Sequence, residues 1–204
     1  SSSPHAISQA HDAVVGCYIL PPESYTIHMV VDHREVRSRT STFMDARQQR
    51  ITFEGALTQR GVPCELRALE LGDILWVARP KRDLPPDKKK AWTYVQEVVL
   101  DTVVERKRLD DLASSIFDGR WHDQKQRLRH AGIGQVIYLI EDIDVPHLMQ
   151  RHGAQIQTAL SSTQVIDGFF VHRTANNQGT VDFLVTLHEA VMDMYKDTPL
   201  YVLR

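Results

Sequence analysis

Short apolar runs and helix-spaced apolar positions alternate along this chain. Ile27 to Val31 (Ile-His-Met-Val-Val) reads as a buried strand that ends in the charged turn Asp32-His33-Arg34-Glu35. Asp45 to Arg60 suits a helix, with Asp45 near its start, Phe53, Ala56 and Leu57 on its apolar side, and Gly61 and Pro63 to stop it. Strands are expected at Cys64 to Ala68, Ile74 to Ala78 and Val98 to Val104, the last a nearly continuous apolar run interrupted by Asp101. Between the last two, Arg79 to Gln96 carries Pro80, Pro85, Pro86 and the run Lys88-Lys89-Lys90, which reads as an exposed loop. Leu109, Leu112, Ile116 and Phe117 then recur at helical spacing up to Gly119, and a second helix runs on toward Gly132. Val136 to Ile140 is a further strand, Leu148 to Ala159 a helix, Gly168 to Val171 a short strand and Thr180 to Tyr195 a closing helix. Strands alternating with helices predict an α/β domain with a mostly parallel central sheet covered by helices. Residues 1–26 show little periodicity and hold Pro4, Pro21 and Pro22, so they are expected to be a leader or linker ahead of one domain over 27–204.

Composition narrows the class. With 204 residues, 42% hydrophobic and 25% charged, the chain is able to bury one sizeable core. Cys17 and Cys64 form no C-x-x-C pair, which argues for plain thiols in a reducing compartment. No apolar run approaches the roughly 20 residues that a bilayer span requires, so no membrane partner is expected. A net charge of -2 votes mildly against nucleic acid, unless positive charge is gathered on one side. Two segments do gather it. Gly119 to His130 carries Arg120, Lys125, Arg127 and Arg129 against Asp123 alone, and Arg120, Gln124 and Arg127 share one helical face. The second cluster is Arg79, Lys81, Arg82 and Lys88 to Lys90 in the expected loop. Either segment also suits a solvated surface.

The chemistry-bearing residues are acids at expected strand ends: Asp32 with Glu35, Glu70 with Asp73, and Asp101 with Glu105. Singly, such acids cap and solubilise turns. Together they offer the oxygens a hard divalent cation takes, because Mg²⁺ uses one or two carboxylates, keeps several waters and leaves positions for a phosphate. Glu105-Arg106-Lys107 emerges directly from an apolar strand, with Asp111 just beyond. Glu105 and Lys107 point to one side of an extended chain, so an ammonium could stand beside a metal held by Glu105. Lys107 could then orient the attacking water or neutralise charge on a phosphate. A surface ion pair at a strand end fits the same tripeptide.

Gly72-Asp73, a variable stretch and then Glu105-Arg106-Lys107-x-x-x-Asp111 resembles the Gly-Asp, Glu-Arg-Lys-x-x-x-Asp signature of the XPF-type structure-selective endonucleases. The longer string from Val103 to Leu112, followed by Ser114 to Arg120, is similar to one branch, the crossover-junction endonuclease catalytic subunits. Gln164 to Phe170, with Arg173 and Thr174, also looks like that branch, so the resemblance runs from about Ile27 to Tyr195. It implies a restriction-endonuclease-like nuclease domain that cuts 3′ flaps, replication forks and nicked junctions in DNA repair and recombination in the nucleus. It further implies Mg²⁺, with Mn²⁺ as a substitute, and a heterodimer with an EME-type non-catalytic subunit. The tandem helix-hairpin-helix module that follows the nuclease domain in that family is absent from this sequence.

Carried over residue by residue, the resemblance makes Asp32, Asp73 and Glu105 the metal ligands and Glu35 a ligand of a second metal. Lys107 becomes the water-activating or phosphate-facing cation, with Arg106 and Asp111 supporting the site. Asp110 and Asp111 form the acidic pair after Arg-Leu, and either acid suits the motif. Arg120 and Arg127 are the expected DNA contacts. The turn Asp32-His33-Arg34-Glu35 departs from relatives that carry small residues there.

An alternative is a catalytically silent DNA-binding or scaffolding subunit of the same fold, which loss of the carboxylates would mark. A small-molecule phosphohydrolase would need a phosphate-cradling G-x-x-x-x-G-K-[ST] loop, and none is present. The histidines lack zinc spacing, and Ser114 and Ser115 lack a His-Asp set nearby, so neither zinc nor a serine nucleophile is expected. Phe169, Phe170, Phe183, Leu184, Leu187 and Val191 are candidates for an apolar dimer face, although most of them are expected to be core.

Overall fold

A computed structural model describes residues 17–37, 42–44, 50–93, 95–142 and 146–203. They fall into two compact units, a larger one of His28–Trp76 with Val99–His188, and a smaller one of the described residues up to Ile27, Val77–Val98 and the chain from Glu189 on.

The larger unit is organised by a six-stranded sheet. Its strands are β2 (Tyr25–Asp32), β5 (Cys64–Arg67), β6 (Ile74–Pro80), β7 (Val98–Arg108), β8 (Gln135–Glu141) and β9 (Phe170–Thr174), in the order β5-β2-β6-β7-β8-β9. The pairs β2–β5, β7–β8 and β8–β9 are parallel. Asp32 N–H donates to the Asp73 carbonyl at one end and Lys81 N–H to the Ser24 carbonyl at the other, so β2 and β6 run antiparallel. The sheet is therefore mixed, with the parallel pairs that the order of elements implies. Its central strands read as unbroken apolar runs because both faces are covered: Met29, Val30, Val31, Ile74, Trp76, Val103, Val104, Leu139 and Ile140 are fully buried.

The covering helices are amphipathic at the positions expected. α4 (Leu109–Phe117) buries Leu109, Leu112 and Ala113, and α5 (Arg120–His130) buries Trp121 and Leu128. α6 (Pro146–Val165) buries Ile156 and Leu160, and α7 (Asn177–Tyr195) buries Val181, Leu184 and Val185. Each such aliphatic side chain removed from water stabilises the fold by about 1.5–3 kcal/mol.

Two further elements follow β2. α1 (His33–Arg37) takes up the charged turn, and a hairpin pairs β3 (Thr42–Met44) with β4 (Arg50–Thr52). The helix expected from Asp45 instead begins at Phe53, as α2 (Phe53–Gln59). Ile51 and Thr52 are β-branched and suit a strand, and the Thr52 hydroxyl caps the helix by accepting from Gly55 N–H at 3.1 Å. Asp45 lies outside the described residues. At α7 the start moves earlier than Thr180, because Asn176 Oδ1 accepts from Gly179 N–H at 2.9 Å and supplies the cap.

In the smaller unit, part of the expected leader has structure. β1 (Cys17–Leu20) pairs antiparallel with β10 (Leu200–Leu203). The Tyr25 hydroxyl donates to the carbonyls of Tyr195 and Thr198 at 2.7 and 2.5 Å, which holds the chain before β2 in place. The expected loop Arg79 to Gln96 contains a short helix, α3 (Pro86–Lys89), and a 3-10 turn over Lys90–Trp92. Two of its cations are spoken for: Arg79 pairs with Glu97 and Lys88 with Glu23. Among the described residues no helix is long and apolar enough to cross a membrane.

Candidate active site

Three strand ends meet at one place in the larger unit, and a glycine makes the meeting possible. Gly72 has φ +71°, and a Cβ there would sit 2.3 Å from Cγ2 of Val103 and 3.3 Å from the Val104 carbonyl. Only glycine lets the turn before β6 press against β7. Asp73 N–H donates to the Val104 carbonyl at 2.9 Å, and Asp32 N–H to the Asp73 carbonyl at 2.8 Å. These backbone bonds set Asp32, Asp73 and Glu105 side by side across β2, β6 and β7.

Asp73 and Glu105 are the electrostatically tense pair. Burial pushes the Asp73 carboxyl well above its usual range, reinforced by the charges of Glu105 and Glu35. Burial likewise pushes Glu105 up to about 7, with Glu35 adding repulsion and Lys107, Gln124 and Asp73 opposing it. Asp73 Oδ2 accepts the Arg106 N–H at 2.8 Å, and Gln124 Nε2 donates to Glu105 Oε1. Two adjoining carboxyls whose charged forms burial disfavours are what a divalent cation relieves.

Asp32 is differently placed. It is 1% exposed and accepts four hydrogen bonds: Oδ1 from Arg34 N–H and Nε, both at 2.8 Å, and Oδ2 from Arg34 Nη2 at 2.5 Å and Leu69 N–H at 2.9 Å. The Arg34 guanidinium beside it holds its carboxyl well below the usual carboxylate range. In this arrangement Asp32 organises its turn, and its oxygens already have the donors that a cation would replace. Glu35 is also engaged, accepting from Arg106 Nη1 at 3.0 Å, and burial raises its carboxyl.

Arg106 is held in a buried network at the edge of the cleft. Its guanidinium is 4% exposed, lies 4.8 Å from the Phe53 ring centroid, and donates from Nε and Nη2 to the two oxygens of Glu141 at 2.9 and 3.1 Å. Thr180 Oγ1 donates to Glu141 Oε1 at 2.7 Å and shares a hydrogen bond with Thr174. Arg106 thereby ties β7 to β8 through its side chain, an arrangement that suits a residue supporting the site.

Above the acids opens a cleft of about 500 Å³ lined by Asp73, Glu105, Lys107, Asp111, Arg120 and Arg127, with Gln124 on the same wall. Asp111 faces this cleft, whereas Asp110 is held away by Arg108, whose Nε and Nη2 donate to it at 3.0 and 3.2 Å. Arg120 and Arg127, one helical face of α5, line the rim; Arg120 is paired with Asp118 at 2.6 Å. The expected Asp101–Glu105 cluster does not form, since Asp101 accepts from Gly134 N–H and borders a second cavity with Val99 and Ile133. Ser114 and Ser115 bond back to the carbonyls of Asp110 and Leu112, which is helix packing. Of the apolar candidates for a dimer face, Leu184, Val191 and Phe169 are core, and Phe170 is 56% exposed.

Two participants were not assigned from the sequence. Glu141 ends the apolar run Val136 to Ile140, a strand-end acid like the others, and Gln124 shares the spacing of Arg120 and Arg127. Among the described residues no three His, Cys, Asp or Glu side chains form a metal cage. The Asp73–Glu105 pair, open to a cleft, matches the one or two carboxylates that Mg²⁺ takes alongside water and phosphate oxygens.

This chain is similar to several known proteins. A family model described as the ERCC4 domain matches residues 31–187. The crossover junction endonuclease mus81 of Aspergillus fumigatus is 41% identical over 186 residues, covering 89% of this chain and 30% of that protein. The structure-specific endonuclease subunit MUS81 of Mus musculus is 36% identical over 177 residues, covering 87% of this chain and 30% of that protein. The chain thus spans less than a third of these relatives. Among solved structures, XPF from Aeropyrum pernix is similar with a TM-score of 0.57 at 24% identity, over 80% of this chain and 61% of that one. A second structure, XPF from Aeropyrum pernix in complex with DNA, gives 0.54 at 24% identity, over 81% and 66%. At that identity the likeness concerns the α/β fold. With the family model matching residues 31–187 and the Gly72-Asp73 and Glu105-Arg106-Lys107 motifs meeting in one cleft, this chain belongs to the ERCC4 domain family.

Proposed function

We propose that this domain is a divalent-metal-dependent DNA endonuclease that hydrolyses a phosphodiester in branched DNA, namely 3′ flaps, replication forks and nicked junctions. One observation carries the reading: two adjoining carboxyls, Asp73 and Glu105, both raised by burial, floor a cleft rimmed by Lys107, Arg120 and Arg127. Asp73 and Glu105 would hold the cation, Mg²⁺ with Mn²⁺ as a substitute. A bound cation of this type lowers the pKa of water and polarises a phosphoryl oxygen. Asp32 and Glu35 join as ligands only when Arg34 and Arg106 release them.

Lys107 lies near enough to lower the carboxyls of both Asp73 and Glu105, and it makes no hydrogen bond or ion pair among the described residues. It orients the attacking water or takes up charge building on the phosphate. Asp111 faces the same space and receives or relays a proton. Arg120 and Arg127 position the DNA backbone without reading sequence, so selectivity comes from the low cost of bending DNA where stacking is already broken. The relatives' names, crossover junction endonuclease and structure-specific endonuclease subunit, support cutting at DNA junctions by one subunit of a larger enzyme. Repair and recombination as the setting, the nucleus as the place and an EME-type non-catalytic subunit as the partner are part of the proposal.

The test is Mg²⁺-dependent cleavage of a labelled 3′-flap duplex by the chain with its partner subunit, comparing wild type, Asp73→Ala and Lys107→Ala, with binding followed in parallel. Binding retained and cutting lost in both variants supports the proposal. Flap binding without cutting in the wild type would replace it with a silent DNA-positioning subunit.

A further inference from the structure

Gln124 stands at a junction that the catalytic motifs do not include. Its amide donates to Oε1 of Glu105, a residue only 5% exposed. It shares a helical face with Arg120 and Arg127, and all three side chains line the cleft.

The helix carrying this face is anchored from behind. Gly119, with φ +82°, starts α5 at a defined point. Trp121 packs edge-on against Tyr138 with ring centroids 4.5 Å apart, and Tyr138 is the register partner of Glu105 on the neighbouring strand. Lys125 donates to Asp167 at 2.5 Å, and Arg129 pairs with the same carboxylate. α5 is thus held to the sheet beside Glu105, and Gln124 bridges the remaining distance.

The residue type matters. An arginine or lysine at position 124 would neutralise Glu105 and compete with a cation for it. An apolar residue would leave a nearly buried carboxylate without this donor. An amide orients one carboxylate oxygen and leaves the negative charge in place.

We propose that Gln124 is a positioning residue: its side-chain amide holds the Glu105 carboxylate in the orientation in which, with Asp73, it receives a divalent cation, and ties that carboxylate to the arginine face of α5. This rests on the metal-dependent reading above. Phosphate engaged by Arg120 and Arg127 and the cation held by Glu105 then keep a fixed spacing through one helix.

The probe is Mn²⁺, titrated without DNA and followed by the paramagnetic resonance signal of the free ion, for wild type, Gln124→Met, Gln124→His, Glu105→Gln and Arg120→Ala. Flap cleavage is then measured across Mn²⁺ concentration. Gln124→Met is expected to raise the half-saturating Mn²⁺ concentration by about tenfold, as loss of a ligand-orienting hydrogen bond does elsewhere. Its cleavage recovers toward wild type as Mn²⁺ is raised, so the defect lies in metal dependence and not in the maximal rate. Gln124→His, which keeps an N–H donor, restores part of the affinity, and Arg120→Ala weakens flap binding while titrating with Mn²⁺ as wild type does.

Gln124→Leu, with its unfolding temperature measured, guards against misfolding of the methionine variant. Wild-type Mn²⁺ titration in both apolar variants, or a cutting defect that no Mn²⁺ concentration relieves, overturns the inference. If Glu105→Gln abolishes Mn²⁺ binding while the Gln124 variants match wild type, only this inference falls. If Glu105→Gln also titrates normally, the metal-dependent reading falls with it.

Discussion

The backbone N–H of Arg106 donates to Oδ2 of Asp73 at 2.8 Å, while the guanidinium of the same arginine is turned to the opposite side of β7 and grips Glu141. One residue thus fixes a cleft carboxylate through its main chain and joins two strands through its side chain. Alternation along the strand separates the two tasks: Glu105 and Lys107 point to one side of β7 and Arg106 to the other, and all three border the cleft at the strand's end.

Breaking the Arg106–Glu141 pair should therefore act through stability before chemistry. Arg106→Met leaves buried Glu141 without its ion-pair partner and is expected to destabilise the fold by about 3–5 kcal/mol, whereas Glu141→Gln leaves Arg106 paired with Glu35 and should cost less. Chemical denaturation of each variant checks this. Replacing both together should cost less than the sum of the single changes, since the orphaned charge is then gone.

Gly72→Ala should be severe for a single methyl group. The new Cβ meets Val103 Cγ2 at 2.3 Å and also sits at a φ that alanine disfavours. The backbone alone costs on the order of 1–3 kcal/mol, before the clash moves Asp73. The expected outcome is a lowered unfolding temperature and loss of flap cleavage, measured side by side. Gly61→Ala, with φ +83° and nothing within 4 Å of the added carbon, isolates the backbone contribution.

The raised carboxyls give the metal-free protein a distinctive pH dependence. Glu105 has its pKa raised in the fold to about 7, from 4.5, so the folded state holds its proton more tightly than the unfolded chain does. That stabilisation is fully present below pH 4.5, and it fades as pH climbs from there through 7, by about 3 kcal/mol at most. Metal-free wild type should unfold at lower temperature at pH 8 than at pH 6. Glu105→Gln should flatten the difference, and added Mg²⁺ at pH 8 should reverse it.

The two acids after Arg108-Leu109 should separate cleanly. Asp111→Ala removes a carboxylate that faces the cleft and is expected to slow cutting by about tenfold or more. Asp110→Ala breaks only an exposed ion pair with Arg108, worth about 0–1 kcal/mol, and should cut close to the wild-type rate. Single-turnover cleavage of a 3′ flap distinguishes them. Equal losses would place both acids in the chemistry.

Much of the fold follows from local pattern. The apolar runs of β2, β6, β7 and β8 and the helical spacing of α4 and α5 are visible along the chain because burial on one or both faces imposes a period. β1, β10 and the β3–β4 hairpin were not legible. Four- and three-residue strands at such places carry too few alternations, and Cys17–Leu20 becomes a strand only by pairing with Leu200–Leu203.

The order of residues along the chain already holds the set of chemical groups and their spacing: Gly72 before Asp73, Glu105 and Lys107 on one side of a strand, and Arg120, Gln124 and Arg127 on one helical face. Covalent spacing and backbone period suffice for that. Only the tertiary structure decided which partner each group keeps. Asp32 is saturated by Arg34 and Leu69, Arg106 is paired across the sheet with Glu141, Asp101 turns to Gly134, and Asp111 rather than Asp110 faces the cleft. Those choices depend on strand register and on the buried geometry of residues far apart in the chain. Hydrogen bonds and desolvation act through distance in space, and local sequence spacing does not encode that distance.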